Sequence, residues 1–243
     1  MNDKEAVFER SQLLLGKENI ASLQKAKVAV IGLGGVGSFV VEALARSGVG
    51  HLLIIDQDVY QTSNLNRQLG ATVDSLGKSK VEVTAKRISE IAPFCQVEAK
   101  EMFLTKESDL SCLQNYDYIA DCIDTVSSKI ALAVYCHEHQ LKLISAMGTA
   151  RKLQPELVTI CDLYQTKYDK LCKVMRHELR QLKVDKLTVC YSPEPLQALS
   201  AELAAIKQKQ VAQKVPLASL IFVPATAGLR IAHKIITDLI DLN

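Results

Sequence analysis

Residues 27–56 read KVAVIGLGGVGSFVVEALARSGVGHLLIID, two apolar runs on either side of a glycine cluster and an amphipathic segment. The first run, Lys27–Ile31, has the length of a buried strand and ends at the glycines, whereas 36–47 shows helical spacing. The second run, 51–55, ends at Asp56. The pattern predicts a strand, a tight glycine turn, a helix and a second strand parallel to the first.

The same alternation continues through the first 150 residues. Apolar residues recur on one helical face over 80–91, and the sequence predicts strands at 118–120 and 142–146 with a helix over 127–139 between them. This order is typical of a Rossmann-like, doubly wound α/β fold, with a mostly parallel sheet and helices on both faces. We predict one continuous domain with two halves, 1–150 and 151–243.

The second half is less regular and is predicted to be a smaller C-terminal extension of the sheet. Strands are expected near 156–161, 186–190 and 219–223. Helices are expected near 168–182 and after Pro224. Residues 193–214 are rich in Ala, Gln and Lys, and we expect them to be mobile or loosely helical.

Composition limits the class of protein. With 48% hydrophobic and 23% charged residues the chain has globular values, which excludes wholesale disorder. Residues 1–150 carry 15 Lys and Arg against 18 Asp and Glu, whereas 151–243 carry 14 against 9. The basic second half favours an anionic partner.

Cysteine spacing and hydropathy indicate the cellular compartment of the protein. None of the seven cysteines is separated from another by two residues, so neither a zinc site nor a redox dithiol is predicted. Their apolar surroundings favour reduced core thiols of a cytoplasmic protein. The polar start MNDKEAVFER predicts no secretory signal, and the apolar region 215–240 is too interrupted by prolines and charges to span a membrane.

The glycine loop predicts a nucleotide site. Gly32, Gly34, Gly35 and Gly37 lie between a strand and a helix, where backbone N–H groups and the helix N-terminus can approach phosphate. Asp56 follows at the end of the next strand, in position to accept hydrogen bonds from ribose hydroxyls. A tight turn without ligand and an NAD site are alternatives, because these features indicate an adenosine nucleotide and no particular reaction.

A polar cluster downstream favours a triphosphate over NAD. Residues 63–68, SNLNRQ, bring Arg67 to the edge of the sheet where ligands of such folds bind. Lys80 and Asp124 are predicted to face the same crevice. Two cations suit phosphate oxygens and a carboxylate suits Mg²⁺, although scattered surface charges would give the same residues.

Nearly the whole chain resembles the ThiF/MoeB/HesA-type adenylating enzymes of the ubiquitin-activating superfamily. The motifs that carry this resemblance are GLGGVGSFVVEALARSGVG (32–50), IDQD (55–58), SNLNRQ (63–68), GKSKVE (77–82) and DCIDT (121–125). Within the family, SAMGTARKLQP (145–155), CKVMRHELR (172–180) and IFVPATAGL (221–229) are similar to the branch that dehydrates threonylcarbamoyladenosine in tRNA.

The resemblance implies ATP and Mg²⁺ as cofactors, without zinc, and a set of site residues. The nucleotide-binding residues that it implies are Gly32, Gly34, Gly35, Gly37, Asp56, Asp58, Ser63, Asn64, Asn66 and Gln68. The catalytic residues that it implies are Arg67, Lys80, Asp124 as the Mg²⁺ ligand, and Arg10. Arg10 resembles an arginine that reaches into the ATP site of the partner subunit, which implies a homodimer.

A basic helix is the candidate tRNA surface. Lys170, Lys173, Arg176 and Arg180 recur at spacings of three to four, which places cations along one side of the predicted helix. A solvated helix face is the alternative. Arg151 and Lys152 could add to an RNA surface, and nothing indicates DNA.

The reaction implied by the resemblance is ATP-dependent dehydration of threonylcarbamoyladenosine beside the tRNA anticodon, through an acyl-adenylate. One alternative is adenylation of the C-terminal glycine of a ubiquitin-like sulfur-carrier protein, with a sulfur-relay partner left open. Another is a nucleotide-sensing or RNA-binding module without catalysis. Cys172 and Cys190 are the nearest candidates for an exposed nucleophile, but buried inert thiols are the preferred interpretation.

Overall fold

The computed structural model describes residues 4–198 and 218–242. The strands are β1 (Lys27–Ile31), β2 (His51–Asp56), β3 (Gln96–Glu101), β4 (Tyr118–Asp121), β5 (Leu143–Ala146), β6 (Thr159–Asp162) and β7 (Thr188–Tyr191). The helices are α1 (Lys4–Leu15), α2 (Lys17–Leu23), α3 (Gly37–Arg46), α4 (Lys80–Ile91), α5 (Val126–Glu138), α6 (Lys170–Gln181) and α7 (Phe222–Leu239).

All seven strands form one sheet in the order β3-β2-β1-β4-β5-β7-β6. Every neighbouring pair is parallel except β6 and β7, which are antiparallel. The predicted fold class, a mostly parallel doubly wound α/β sheet with a C-terminal extension, is confirmed. This order brings the carboxyl ends of β2, β1, β4, β5 and β7 side by side along one edge, where such sheets bind ligands.

The central strands are buried on both faces because helices cover both. Val28 and Val30 of β1 point into one hydrophobic cluster, which α3 and α7 complete. Ala29 and Ile31 point into the opposite cluster, which α5 completes through residues such as Leu132. The alternation follows from the two-residue period of a strand, and it explains the continuous apolar runs in the sequence.

Two features of the strand pattern differ from the prediction. β3 was not predicted, because its sequence QVEAKE is largely polar. Its side chains are exposed or half-buried, since β3 is the outermost strand on one side of the sheet. The strand predicted at 219–223 is wrong, since Phe222 begins α7. Pro224 is tolerated in the first helical turn, where its missing N–H has no intrahelical partner in any case.

Packing against α3 explains why the apolar residues around Pro224 are helical. A Cβ on Gly228 would lie 2.5 Å from the carbonyl oxygen of Val36 and 2.8 Å from Phe39 Cβ, so the two helices approach closely there. Tertiary burial of α7 outweighs the local preference of β-branched and aromatic residues for strands.

The segment predicted to be mobile or loosely helical is only partly described. Residues 193–198 follow β7 without a helix, and the rest of that prediction, from 199 onward, lies outside the described residues. Among the helices of residues 4–198 and 218–242, none combines the length and the apolar character needed to cross a bilayer.

Candidate functional site

The loop between β1 and α3 is shaped by its glycines. Gly32 has a φ of 92°, and a Cβ there would lie 2.7 Å from the carbonyl oxygen of Cys122. A Cβ on Gly37 would lie 1.8 Å from the carbonyl oxygen of Gly32. At Gly34, by contrast, the nearest atom to a Cβ is Gln68 Nε2, 4.0 Å away. The loop is therefore tight at both ends and open at Gly34, where phosphate can approach the backbone.

Asp56 holds the glycine loop from the end of β2. Its Oδ2 accepts a hydrogen bond from Leu33 N at 2.6 Å, and its Oδ1 accepts one from Asp58 N at 2.8 Å. Each carboxylate oxygen has a further lone pair, which can accept a hydrogen bond from a hydroxyl group. Asp56 thus has a structural role in addition to its predicted role in nucleotide binding.

Lys80 lies beside this carboxylate at the start of α4. Its Nζ is 2.8 Å from Asp58 Oδ2 and 3.8 Å from Asp56 Oδ2. The Lys80 side chain is 6% exposed, whereas that of Asp58 is 57% exposed. The lysine end of this ion pair is therefore buried in the protein, whereas the aspartate end is accessible to solvent.

Two amides of the predicted phosphate cluster are buried. Asn64 Oδ1 accepts a hydrogen bond from Gln61 N at 3.0 Å, which fixes the 3₁₀ turn Thr62–Asn64. Gln68 is also buried, and its Oε1 accepts no hydrogen bond within the described part of the chain. A buried amide oxygen without a partner is uncommon. The nitrogen of the same amide, Nε2, is the Gln68 atom nearest to a Cβ on Gly34, the open position of the glycine loop.

Arg67 is held over the glycine loop by its neighbours. Its Nη1 donates hydrogen bonds to the carbonyl oxygen of Ser63 and to Asn66 Oδ1, both at 2.8 Å. A Cβ on Gly35 would lie 3.4 Å from Arg67 Cγ, so the arginine stem passes directly above the loop. Asn66 Nδ2 in turn donates to the carbonyl oxygen of Ser219 at 2.9 Å. These contacts bring the predicted phosphate cluster and the glycine loop together.

Asp124 follows β4 as an exposed carboxylate, and a buried ion pair fixes the backbone before it. Lys129 Nζ lies 2.8 Å from Asp121 Oδ2, and both side chains are at most 1% exposed. Asp121 Oδ1 accepts from Ile123 N at 3.1 Å, while Lys129 Nζ donates to the carbonyl oxygen of Ile123 at 3.1 Å. The backbone N–H and carbonyl of Ile123, the residue before Asp124, are therefore both fixed by hydrogen bonds to this ion pair.

Sequence reasoning missed this pair. The available signal was a carboxylate at the end of the otherwise apolar strand YIAD, since a buried charge requires a partner. The identity of the partner depends on tertiary structure.

A second buried ion pair, also missed, joins the carboxyl ends of β5 and β7 to α6. Lys152 Nζ lies 2.8 Å from Asp169 Oδ2 and donates to the carbonyl oxygen of Ser192 at 2.6 Å. Asp169 Oδ1 caps α6 by accepting from Cys172 N at 2.9 Å. Because Lys152 is 3% exposed, it is not available as the RNA contact that the sequence suggested.

The basic helix α6 presents three of its four predicted cations to solvent. Lys170, Lys173 and Arg180 are exposed. Arg176 is half-buried, and its Nη1 donates to the carbonyl oxygen of Thr166 at 3.0 Å. Arg176 therefore fastens the preceding turn to α6 and is not part of the exposed cationic face.

Arg10 lies away from the glycine loop and the other predicted site residues of this chain. It is exposed on α1, two residues after Phe8, which packs edge-on against Phe94 with ring centroids 4.7 Å apart. Phe8 also contacts Gly48. Phe94 and Gly48 precede β3 and β2, at the sheet edge opposite to the glycine loop.

The cysteines contribute no exposed nucleophile at this edge. Cys172 and Cys190, the candidates from the sequence, are fully buried, and burial raises the pKa of each thiol to about 12. Both are protonated at neutral pH, as expected of inert core thiols.

The donor set fits magnesium only in the manner of a nucleotide-bound ion. No group of three or more His, Cys, Asp or Glu side chains within 4–198 and 218–242 could hold a metal by itself. Mg²⁺ in phosphate-transfer sites is commonly bound by one or two carboxylates together with substrate phosphates. Asp124 is an exposed carboxylate near the glycine loop, since it follows Ile123, whose N would lie 3.0 Å from a Cβ on Gly32.

Known proteins with similar sequence include two kinds of enzyme. A tRNA threonylcarbamoyladenosine dehydratase of Bacillus subtilis is 39% identical over 239 residues, which cover 96% of this chain and 94% of that protein. A sulfur carrier protein adenylyltransferase of Thermus thermophilus is 34% identical over 124 residues, which cover 50% of this chain and 46% of that protein. The similarity to the dehydratase is the more extensive.

The solved structure of a similar protein has the same fold. The Escherichia coli tRNA N6-threonylcarbamoyladenosine dehydratase TcdA in complex with ATP is 28% identical, with a TM-score of 0.85 over 98% of this chain and 96% of that chain. Another crystal structure of that protein is a complex with AMP. The model of the ThiF family matches residues 8–189. The predicted family is confirmed, and this chain belongs to the ThiF family.

Proposed function

We propose that this protein catalyses the ATP-dependent dehydration of threonylcarbamoyladenosine in tRNA, through an acyl-adenylate. The observation that carries the proposal is the alignment with the Bacillus subtilis dehydratase, which runs through nearly the whole of both chains. The Escherichia coli dehydratase binds ATP and AMP, the substrate and the product that this reaction requires. The open glycine loop, Arg67, Lys80 and Asp124 supply a matching set of groups.

In the first step the carboxylate of the threonylcarbamoyl group attacks the α-phosphorus of ATP. An acyl–oxygen–phosphorus bond forms, the bond to the β-phosphate breaks, and pyrophosphate leaves. The attacking carboxylate is already ionised at neutral pH, so the step needs neither a general base nor an activated cysteine. This agrees with the buried, protonated thiols of Cys172 and Cys190.

The residues of the protein act by position and charge. The Arg67 guanidinium and the Lys80 ammonium neutralise phosphate oxygens as negative charge develops on pyrophosphate. Asp56 and the glycine loop orient the adenosine end. Asp124 would hold Mg²⁺, which when bound adds positive charge beside the phosphates.

In the second step a nucleophile within the same modified adenosine attacks the acyl carbon. A five-membered ring closes as the nucleophile loses its proton to solvent, and AMP leaves with the oxygen that came from the carboxylate. The net change in the tRNA is the loss of one water.

The proposal includes three further parts. The exposed cations of α6 contact the phosphates of tRNA. Arg10 acts in the site of a second subunit, because its own protomer holds it at the opposite edge of the sheet. A cytoplasmic location follows from tRNA as the substrate.

The test uses purified protein with Mg²⁺-ATP and bulk tRNA that carries threonylcarbamoyladenosine. We expect nucleoside mass spectrometry to show the loss of one water from the modified adenosine only with ATP, together with AMP formation. Arg67→Ala should abolish most of the turnover, whereas Lys78→Ala, an exposed neighbour of the site, should not.

Other outcomes would favour the alternatives. AMP formation with a small carrier protein ending in Gly-Gly, without change in the tRNA, would favour sulfur-carrier adenylation. Full activity of Arg67→Ala protein would contradict the assigned site. ATP binding without either product would leave a nucleotide-sensing module.

A further inference from the structure

The aromatic ring of Tyr168 is exposed in an unusual backbone conformation. Tyr168 is 78% exposed, although aromatic side chains normally bury most of their surface. Its φ is 62°, in the left-handed region that a bulky residue rarely occupies. Strained residues of this kind cluster at ligand sites, which makes Tyr168 a candidate for a binding role.

The strain is maintained by the residue that follows. Asp169 is buried, pairs with Lys152 and caps α6, so the chain at this point cannot relax without breaking the buried ion pair. Asp169 lies close to Gly148, where a Cβ would be only 3.2 Å from Asp169 Oδ2, so the carboxylate packs against a position that has no side chain. The Tyr168 ring is therefore attached to a backbone segment that the ion pair and the helix cap hold in place.

The exposed charged residues next to Tyr168 in the sequence are positive. Lys167, Lys170 and Lys173 are all exposed within five residues of the ring. The one carboxylate in this stretch, Asp169, is neutralised by Lys152. An aromatic ring among exposed cations suits a ligand that combines a flat base with phosphates.

The location also suits the tRNA. Asp169 lies beside Gly148 at the carboxyl end of β5, and β5 is two strands away from β1 and its glycine loop. Two strand spacings amount to roughly 10 Å. Tyr168 is therefore on the same edge of the sheet as the nucleotide site, toward the α6 side.

We propose that the Tyr168 ring is a stacking platform for an unpaired base of the tRNA anticodon loop, close to the nucleotide that reacts. This inference rests on the proposed function for the identity of the RNA. Sequence-tolerant stacking of unpaired bases on aromatic side chains is a general mode of RNA recognition. The three lysines contact the adjoining phosphates, while the ring holds the base.

The experiment compares binding of bulk tRNA to the full-length protein and to Tyr168→Asn, Tyr168→Phe and Tyr168→Trp. Asparagine tolerates a φ near 62° better than tyrosine, so Tyr168→Asn should unfold at the same or a higher temperature. We expect its affinity for tRNA to fall about 5- to 150-fold. Tyr168→Phe and Tyr168→Trp should bind within about threefold of wild type, because the ring is kept.

Two further readouts separate stacking from charge and from general damage. The dependence of affinity on salt should be unchanged in Tyr168→Asn, since no cation is removed. The KM for ATP should also be unchanged. As a matched control, Leu182→Ala removes another exposed apolar side chain at the far end of α6 and should leave tRNA binding intact.

The outcomes distinguish this inference from the proposed function. If Tyr168→Asn binds tRNA within about twofold of wild type, or if Tyr168→Phe is as weak as Tyr168→Asn, the stacking role is overturned while dehydration by wild type still stands. If wild type binds tRNA with the expected variant pattern but dehydrates nothing, the proposed function fails and the stacking site stands. A wild-type protein that binds no tRNA overturns both.

Discussion

Two ion pairs at the same edge of the sheet have the same geometry but opposite surroundings. In Lys129–Asp121 and in Lys80–Asp58 the nitrogen and oxygen are 2.8 Å apart. The first pair is inaccessible to solvent, and its other hydrogen bonds are made to the backbone of Ile123 and to the Ser145 hydroxyl. In the second pair the aspartate is more than half exposed. The two pairs therefore differ in solvent exposure and not in distance. The buried Lys129–Asp121 pair holds the backbone of the site in place, whereas the Lys80–Asp58 pair is accessible to a ligand.

The energetic consequences of breaking the two pairs should differ accordingly. Removing one partner of a fully buried pair leaves an uncompensated charge, which is expensive in a medium of low polarity. Removing one partner of an open pair leaves a charge that water can solvate. Lys129–Asp121 should therefore matter most for stability and Lys80–Asp58 for activity.

The largest expected effect is on stability. Lys129→Met should lower the free energy of unfolding by about 3–5 kcal/mol, because Asp121 remains buried without its partner. Urea unfolding followed by circular dichroism measures the change. The double variant Lys129→Met/Asp121→Leu should recover part of the loss, since no buried charge remains. A loss below about 1 kcal/mol for the single variant would show that this pair is not the support of the Asp124 loop.

The next effect is on activity. Lys80→Met should lower kcat/KM about 10²- to 10³-fold, the usual cost of losing one group that stabilises developing charge. Its free energy of unfolding should fall by less than that of Lys129→Met, because Asp58 is solvated, although Asp56, 3.8 Å from Lys80 Nζ, is only 10% exposed. Lys78→Met is the matched control, because Lys78 is exposed two residues away. Equal losses of stability in Lys80→Met and Lys129→Met would remove the distinction between the two pairs.

A third pair, which joins two helices away from the site, should give a smaller effect that depends on pH. Glu42 Oε2 and Oε1 accept from Arg87 Nε and Nη2 at 2.7 and 2.9 Å, which links α3 to α4. Burial raises the pKa of the Glu42 carboxyl, but hydrogen bonds from Arg87 and Arg46 outweigh it and leave the pKa below its usual value. The pair therefore stabilises the fold above the unfolded-state pKa of about 4.3, and the contribution is lost as pH falls through the lowered folded-state pKa.

Arg87→Gln should therefore cost at most about 1 kcal/mol at pH 7. The difference from wild type should shrink once the pH falls below about 4, as Glu42 becomes protonated in both states. Thermal unfolding across pH 3–8 measures this. Lys86→Gln, an exposed neighbour on α4, should show no such pH dependence. A difference that grows at low pH would contradict the assignment.

The smallest effect concerns the cationic face of α6. Lys173→Gln should make the slope of log affinity for tRNA against log salt shallower by about 0.7–0.9, the contribution of one phosphate contact. Arg176→Gln should change that slope little, because Arg176 is turned toward Thr166. Equal changes for both variants would show that the exposed face alone does not define the contact with RNA.

Most of the first half could be predicted from the sequence. The strands β1, β2, β4 and β5 are apolar runs of strand length, and α3, α4 and α5 repeat apolar residues with helical spacing, so local pattern is sufficient. β3 was not predicted because a strand at the side of a sheet need not be apolar. The strand predicted at 219–223 was wrong because Pro224 in a first helical turn looks the same in sequence as Pro224 after a strand.

The sequence by itself determined the chain's family, the Rossmann-like alternation and the collection of Gly34, Asp56, Arg67, Lys80 and Asp124 at one edge of the sheet. The family is implied by the resemblance of the sequence motifs, the alternation follows from local periodicity, and the grouping of the site residues follows from the rule that carboxyl ends of parallel strands share an edge. Only the tertiary structure decided that Lys129 pairs with Asp121, that Lys152 is buried, that Arg176 turns inward and that Tyr168 is presented to solvent. The physical reason is that the state of a charged or aromatic side chain depends on neighbours far away in the chain, which no local pattern contains.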